Sequence, residues 1–250
     1  MNRNLSAALI VIGNEILSGR TQDLNIKFLG GELGKIGIFL NEVRIIADNE
    51  NKIIKTVQEL KDRHNYVFTT GGIGPTHDDI TSLSVAKAFG AELELHEPSA
   101  KKMREHYGSN LNEARLKMAH IPSGASPIET KITSAPGFKI ENVFVLAGVP
   151  MIAKAMFDAL LPELSVGPPI ISRYIEALLG EGDIANQLEK IQNKFPDTDI
   201  GSYPFFRKGE IGLSVVAKGT NPEKINNIID EVEKIIKSKN RKYKIDDDVI

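Results

Sequence analysis

Apolar positions along this chain alternate between two periods. Ala7-Ala8-Leu9-Ile10-Val11-Ile12 is an unbroken apolar run, as expected of a central parallel strand covered on both faces. Asn25 to Lys35 places Ile26, Leu29 and Leu33 on one side of a helix that Gly34 or Gly37 ends. Phe39 to Ile46 alternates as a second strand ending at Asp48. Ile53, Ile54, Val57 and Leu60 mark a second amphipathic helix, and Tyr66 to Thr70 is a third strand. This alternation of strand and helix predicts an α/β fold with a mostly parallel sheet and helices on both faces. The segment Gly13 to Arg20 reads as a polar, glycine-punctuated loop.

Further on, Glu92 to Leu95 reads as a short strand, with helices over Pro98 to Tyr107 and Asn112 to Ala119. A hairpin turning at Glu141-Asn142 leads into Val143-Phe144-Val145-Leu146, and a helix follows over Met151 to Leu161. Ser165-Val166-Gly167-Pro168-Pro169 is the strongest linker signal. Beyond it the order becomes β-α-β-β-α, closing on a helix from Asn221-Pro222 to about Lys237. We therefore expect two domains, 1–168 and 169–250, the second a small α+β unit. Ser238 to Ile250 is charged and reads as a frayed end, with Asp246-Asp247-Asp248 a solvated tail.

The third strand runs into Thr69-Thr70-Gly71-Gly72-Ile73-Gly74-Pro75-Thr76-His77-Asp78-Asp79-Ile80-Thr81, after which Leu83, Val85, Ala86 and Phe89 form a helical face capped by Gly90. A glycine-rich turn between strand and helix lets backbone N–H groups crowd a phosphate at the helix start. A tight connection with ordinary capping explains such a turn equally well, since Thr76 and Asp79 fit the Ser/Thr-x-x-Asp/Glu capping pattern. It is neither a Walker loop nor a Gly-x-Gly-x-x-Gly dinucleotide turn. Two adjacent carboxylates would repel a phosphate unless a cation lay between. Ligands of such sheets gather at the carboxyl ends of strands. Glu15, Asp48, Asp78 and Asp79 all follow strand ends, so four acids from three loops are expected on one edge; together they resemble a hard-cation site, since Mg²⁺ favours a few carboxylates plus phosphate oxygens and water. Gly148 and Pro150 offer a second backbone turn there. His77 is a proton carrier or a structural residue; His96, His106 and His120 show no ligand spacing.

Composition narrows the classes. The 250 residues carry a formal net charge of −2, and neither domain is basic, with 18 Lys/Arg against 19 Asp/Glu before residue 169 and 13 against 14 after it. That gives no general attraction to nucleic acid or to anionic membranes. With no cysteine there is no thiolate nucleophile and no Cys-bound zinc. No apolar run reaches membrane-spanning length and no signal peptide is evident, so a cytoplasmic protein is expected.

Four ordered segments, Ile12 to Arg20, Thr69 to Thr81, Ala135-Pro136-Gly137-Phe138 and Gly148-Val149-Pro150, resemble the competence/damage-inducible protein A family, whose N-terminal domain belongs to the molybdopterin-binding superfamily. Gly180-Glu181-Gly182-Asp183 and Gly201-Ser202-Tyr203-Pro204 are similar to the KH-like domain that follows there. The resemblance implies a three-layer αβα sandwich. It implies chemistry on a phosphoanhydride: relatives split ADP-ribose to AMP and ribose 5-phosphate with Mg²⁺, Mn²⁺ or Co²⁺, often aided by K⁺, one hydrolyses FAD, and others adenylylate molybdopterin. By motif position Asp79, Asp78 and Glu15 would be catalytic, and Glu15, Asp48 and Asp79 would hold the metal. Thr70, Gly71, Gly72, Gly74, Pro75, Thr76, Gly148 and Pro150 would bind phosphate or nucleotide. The expected partner is a small nucleotide or pterin, in a homo-oligomer, without nucleic acid or membrane. Ala147 and Met151-Ile152 depart from the pattern usual around Gly148. Gly180-Glu181-Gly182 is acidic where an RNA-binding Gly-x-x-Gly loop would be basic. Because the chain stops at Ile250, the amidase activity of a further domain in the family is not expected.

Overall fold

The computed structural model describes residues 5–207 and 209–248. Met1–Asn4 and the final Val249-Ile250 of the tail lie outside the described residues. The chain divides into two compact units, one of residues up to Leu33 with Phe39–Ser165, the other of Gly34–Ile38 with the stretch from Val166 onward.

In chain order the first unit contains β1 (Leu5–Ile12), α1 (Asn14–Leu17), α2 (Asn25–Lys35), β2 (Ile38–Ile46), α3 (Glu50–Lys61), β3 (Tyr66–Thr70) and α4 (Thr81–Ala88). It continues with β4 (Leu93–Leu95), α5 (Glu97–Tyr107), α6 (Glu113–Leu116), β5 (His120–Pro122), β6 (Ser126–Ile128), β7 (Gly137–Ile140), β8 (Val143–Leu146) and α7 (Pro150–Leu160). Elements at either border of this unit take a few residues from the second. The main sheet has the order β2-β1-β3-β8-β7-β6. β1 pairs with β3, and β3 with β8, in parallel; β7 and β6 add antiparallel strands at one side.

Alternation along the buried strands builds the three layers. Ala8, Ile10 and Ile12 of β1 point with Val67, Val143 and Val145 toward Ile53, Val57 and Leu60 of α3 and Val85 and Ala88 of α4. On the opposite face Phe68 stacks on Phe144 with ring centroids 5.1 Å apart, and Phe157 of α7 meets Phe68 and Phe28. The αβα sandwich and its parallel centre agree with the expectation from the apolar periods. Gly90, at φ +65°, closes α4 in a Schellman turn: its N–H donates to Lys87 O, and Ala91 N–H donates to Ala86 O.

On the α3 face of β2, Glu42 accepts from Arg44 Nε at 2.7 Å, and Arg44 Nη1 donates to Glu59. The Arg44 guanidinium holds the half-buried Glu42 carboxyl below the ordinary glutamate pKa. A carboxyl lowered on folding contributes stability above its unfolded pKa and loses it as pH falls through the folded value. Glu42→Gln is expected to cost about 0.5–1 kcal/mol at pH 7. Denaturant midpoints should show the gap to wild type close on acidification past the ordinary glutamate range; a gap that persists there would refute the assignment.

The second unit contains β9 (Ile171–Ala177), α8 (Ala185–Lys194), β10 (Asp199–Arg207), β11 (Glu210–Gly219), α9 (Pro222–Ser238) and β12 (Tyr243–Asp248). The sheet order is β10-β11-β9-β12, with antiparallel pairing throughout. Ile175, Leu213, Val215 and Ala217 pack against Leu188 and Ile191 of α8 and Ile225, Ile229 and Val232 of α9. β12 corrects the sequence reading. Tyr243 to Asp248 is not a frayed, solvated end; it pairs with β9 from Ala177 to Ser172, and Ile245 packs on the core. As an edge strand it tolerates charges that hide its alternation, and such charges protect an edge from further pairing.

Candidate functional site

The carboxyl ends of β1, β3 and β8 form one rim of the first unit, and the glycine turn lies on it. Gly71 has φ +103° and Gly72 φ +67°. A side chain at Gly71 would put its Cβ 2.1 Å from Ile12 O, and one at Gly72 would come 2.2 Å from Thr81 Oγ1. These two glycines therefore let the turn lie directly on the end of β1 and the start of α4. Gly71 N–H donates to Leu146 O at 3.3 Å and Thr81 N–H to Gly72 O at 2.9 Å, which ties the turn to β8 and α4.

Asp79 closes this turn. Its Oδ2 accepts from Thr76 N–H at 2.8 Å and lies 2.5 Å from Thr76 Oγ1. The capping box expected of Thr76 and Asp79 does not form, because α4 starts only at Thr81, with Ile80 at its cap; the pair clasps the loop instead. Asp78 Oδ1 lies 2.6 Å from the same hydroxyl. That hydroxyl bond, with a backbone N–H and the nearby His77 and Lys117, holds the exposed Asp78 carboxyl below its ordinary pKa. A hydroxyl has one proton, so it cannot bond to both carboxylates at once. The remaining close approach of negative oxygens is a place that favours positive charge. Lys117 Nζ supplies some from one side, donating to Thr76 O at 3.0 Å and Asp79 O at 2.8 Å.

Above the turn is a cavity of about 670 Å³. Gly71, Gly72, Gly74, Pro75 and Asp79 line it from the turn, Glu15 from α1, Gly148 from the loop after β8 and Pro150 from the start of α7. Gly148 reaches this position by backbone approach, since a Cβ there would sit 3.2 Å from Gly71 Cα. Thr70 lies beneath, buried, in a smaller adjoining chamber. Thr76, His77 and Asp78 are outside the lining, and His77 is fully exposed. Asp48 is also outside it: its Oδ2 accepts from Asn14 N–H at 2.8 Å and anchors the start of α1. That single helical turn sits where the sequence predicts only a loop.

Among the described residues, no group of three histidine or acidic side chains is placed to hold a metal ion. Glu15 and Asp79 face the same cavity while Asp48 caps a helix. Two carboxylates still match the donor set of Mg²⁺, which takes one or two from protein and completes its shell with substrate phosphate and water. The same lining includes two residues that the sequence does not single out. Arg115 lies over the Tyr107 ring, 4.9 Å from its centroid, and donates to Asn110 O; both residues line the cavity. A cationic guanidinium in the same cavity as a glycine turn suits a phosphorylated ligand. The available signal was Arg115 within the helix expected over Asn112 to Ala119. No helix among the described residues is long and apolar enough to cross a membrane.

Comparison with known proteins agrees with this architecture. Residues 8–166 match the family model of a probable molybdopterin binding domain, and residues 169–244 that of the FAD synthase middle domain. A putative competence-damage inducible protein of Clostridium botulinum is 32% identical over 244 residues, which are 93% of this chain and 59% of that protein. A Pyrococcus abyssi protein is 34% identical over 242 residues, covering 90% of this chain and 95% of the relative. Among solved structures, the protein CinA of Thermoplasma acidophilum, titled as of unknown function, aligns with a TM-score of 0.61 and 33% identity over 64% of this chain and 98% of that one. The chain thus spans well under two thirds of the clostridial relative's length but nearly all of the archaeal one.

Proposed function

The chain belongs to the CinA-like family built on a probable molybdopterin-binding domain, and from that premise we propose that it is a metal-dependent nucleotide pyrophosphatase, with ADP-ribose as its substrate. The observation that carries this reading is the 670 Å³ cavity lined together by a glycine turn, Arg115 and two carboxylates, Glu15 of α1 and Asp79 of the turn. Water adds to one phosphorus of the diphosphate and the bridging P–O bond breaks, giving AMP and ribose 5-phosphate.

The residues of the chain divide this work by charge. Backbone N–H groups of Gly72 to Gly74 hold the diphosphate, and Arg115, in the same lining, adds positive charge to it. Glu15 and Asp79 would hold a Mg²⁺, Mn²⁺ or Co²⁺ ion. Such an ion, when bound, neutralises phosphate charge and acidifies a water ligand. Asp79 does its part from a fixed position, since Thr76 N–H and the Lys117 clamp on the loop carbonyls limit its movement. The carboxylates also keep the diphosphate from settling over them unless a cation intervenes, which makes binding as well as turnover metal-dependent.

The absence of a three-acid cluster among the described residues favours a second reading: a nucleotide- or pterin-binding protein without hydrolysis, or an adenylyltransferase using ATP. One panel separates them. Purified protein is incubated with ADP-ribose, FAD, NAD or ATP, each with Mg²⁺, Mn²⁺ or Co²⁺ and with or without K⁺, and AMP is quantified. AMP from ADP-ribose, dependent on the divalent ion, is the expected result. Measurable binding with no AMP from any dinucleotide would overturn the hydrolase reading.

A further inference from the structure

Glu15 reaches the cavity from α1, a single helical turn that buries no residue of its own. Its place must therefore come from polar contacts. Gly13 N–H donates to Ile46 O at 3.1 Å, which ties the end of β1 to the end of β2. Thr21 N–H and Ser18 Oγ donate to Glu15 O at 3.1 and 3.2 Å. Gly13 has no side chain to cap α1, and Asp48, from the loop after β2, takes that duty: its Oδ2 accepts from Asn14 N–H at 2.8 Å. Asp48 is itself well held, because the next residue, Asn49, caps α3 by accepting from Lys52 N–H at 3.0 Å. α3 in turn is seated in the core through Ile53, Val57 and Leu60.

The side chain of Glu15 is placed by a different neighbour. It folds back over Gly13, where an added Cβ would sit 2.5 Å from Glu15 Oε1 and 2.8 Å from its Cδ and Oε2. The backbone at Gly13 is extended, with φ 169°, a conformation open to any residue. Glycine is needed there for space and not for conformation, and the Glu15 carboxylate fills that space. Neither Gly13 nor Asp48 lines the cavity.

We propose that Asp48 and Gly13 are positioning residues for Glu15. Asp48 fixes the backbone that carries it, through Asn14 N–H, and Gly13 leaves the room that its carboxylate occupies. The proposal rests on the metal-dependent reading given above and deepens it, by naming what aims one of its two carboxylates. It also gives Asp48 a part in the site without making it a ligand. Groups that orient a metal ligand change affinity or activity by about 10–100-fold when removed.

The test compares Asp48→Asn, Asp48→Ala and Gly13→Ala in the full chain, alone and combined with Glu15→Gln. Mn²⁺ affinity is read from the loss of the free-ion EPR signal with AMP present, and AMP release from ADP-ribose is measured beside it. Asparagine keeps an oxygen for Asn14 N–H, so Asp48→Asn should stay within about threefold of wild type in both. Asp48→Ala and Gly13→Ala should each weaken Mn²⁺ binding about tenfold or more. In the Glu15→Gln background each should add less than about twofold, because its effect runs through Glu15. A loss in Asp48→Asn equal to that in Asp48→Ala would overturn the role of Asp48, since its charge would then act directly. Full additivity with Glu15→Gln would overturn it as well, as the mark of a general effect on the fold. Wild-type Mn²⁺ affinity in Gly13→Ala would overturn the role of Gly13. If Asp48→Ala fails to fold, Asp48→Asn and Gly13→Ala decide. Should the dinucleotide panel yield no AMP, the Mn²⁺ affinities alone decide; a wild type that does not bind Mn²⁺ either would take the positioning role down with the metal reading. Wild-type Mn²⁺ affinity and AMP release in every variant that keeps Glu15 would remove the positioning role and leave the hydrolase reading intact.

Discussion

Asp79→Asn is expected to lower AMP release from ADP-ribose by about 10²–10³-fold, the range typical of losing one fixed electrostatic group at a reacting centre, while the thermal midpoint stays within a few degrees of wild type. The asparagine substitution isolates charge. Asp79 has a structural duty as well, because its Oδ2 accepts from Thr76 N–H at 2.8 Å. The amide oxygen of asparagine can keep that bond and the turn that depends on it. What it cannot supply is a negative ligand oxygen in the cavity that Asp79 shares with Glu15. Asp79→Ala removes both, so it should abolish activity and also loosen the turn, losing the loop's closing hydrogen bond. Steady-state rates at saturating Mn²⁺, with circular dichroism to confirm folding, separate the two effects. A near-wild-type rate in Asp79→Asn would refute the metal assignment; loss in the alanine variant alone would make Asp79 a residue that only shapes the loop.

Much of this arrangement could be read from the residues in order, and the parts that could not have physical reasons. The bounds of α2 and β3 followed from apolar periods because both elements bury a continuous face, with Leu29, Leu33, Val67 and Phe68 fully inaccessible. Placing Glu15 and Asp79 on one rim needed only the rule that parallel strands deliver their following loops to the same edge. Asp48 shows where that rule stops. It follows a strand end as expected, but Asn14 N–H captures its carboxylate, and the helical turn that presents this N–H is too short to have a period. Arg115 and Tyr107 reach the cavity from α5 and α6, which lie outside the strand–helix alternation. Their approach is set by tertiary packing, on which local patterns are silent. β12 was obscured because an edge strand needs only one apolar residue toward the core, and Ile245 stands among lysines and aspartates.

Gly71→Ala should be the most destabilising single substitution in the turn, by about 3–4 kcal/mol, combining backbone strain of roughly 1–3 kcal/mol with a steric overlap that has no soft partner. At φ +103° the backbone is where side chains are rarely accommodated. The atom a new Cβ would meet, at 2.1 Å, is the carbonyl oxygen of Ile12, at the end of a buried central strand. Relief requires β1 to shift against β3, or the turn to lift from the rim. Lifting the turn also releases Gly148, which packs directly on Gly71, so phosphate binding should weaken together with stability. For a chain of this size the shift in thermal midpoint should be about 10 °C. Gly19→Ala supplies the comparison: Gly19 has φ +72° but nothing within 4 Å of an added Cβ, so only the conformational cost of about 1–2 kcal/mol applies. Calorimetric scans of the two variants test the contact itself. Equal shifts would mean that the approach of the turn to Ile12 has no energetic consequence, and with it would go the reason for a glycine at the base of the site.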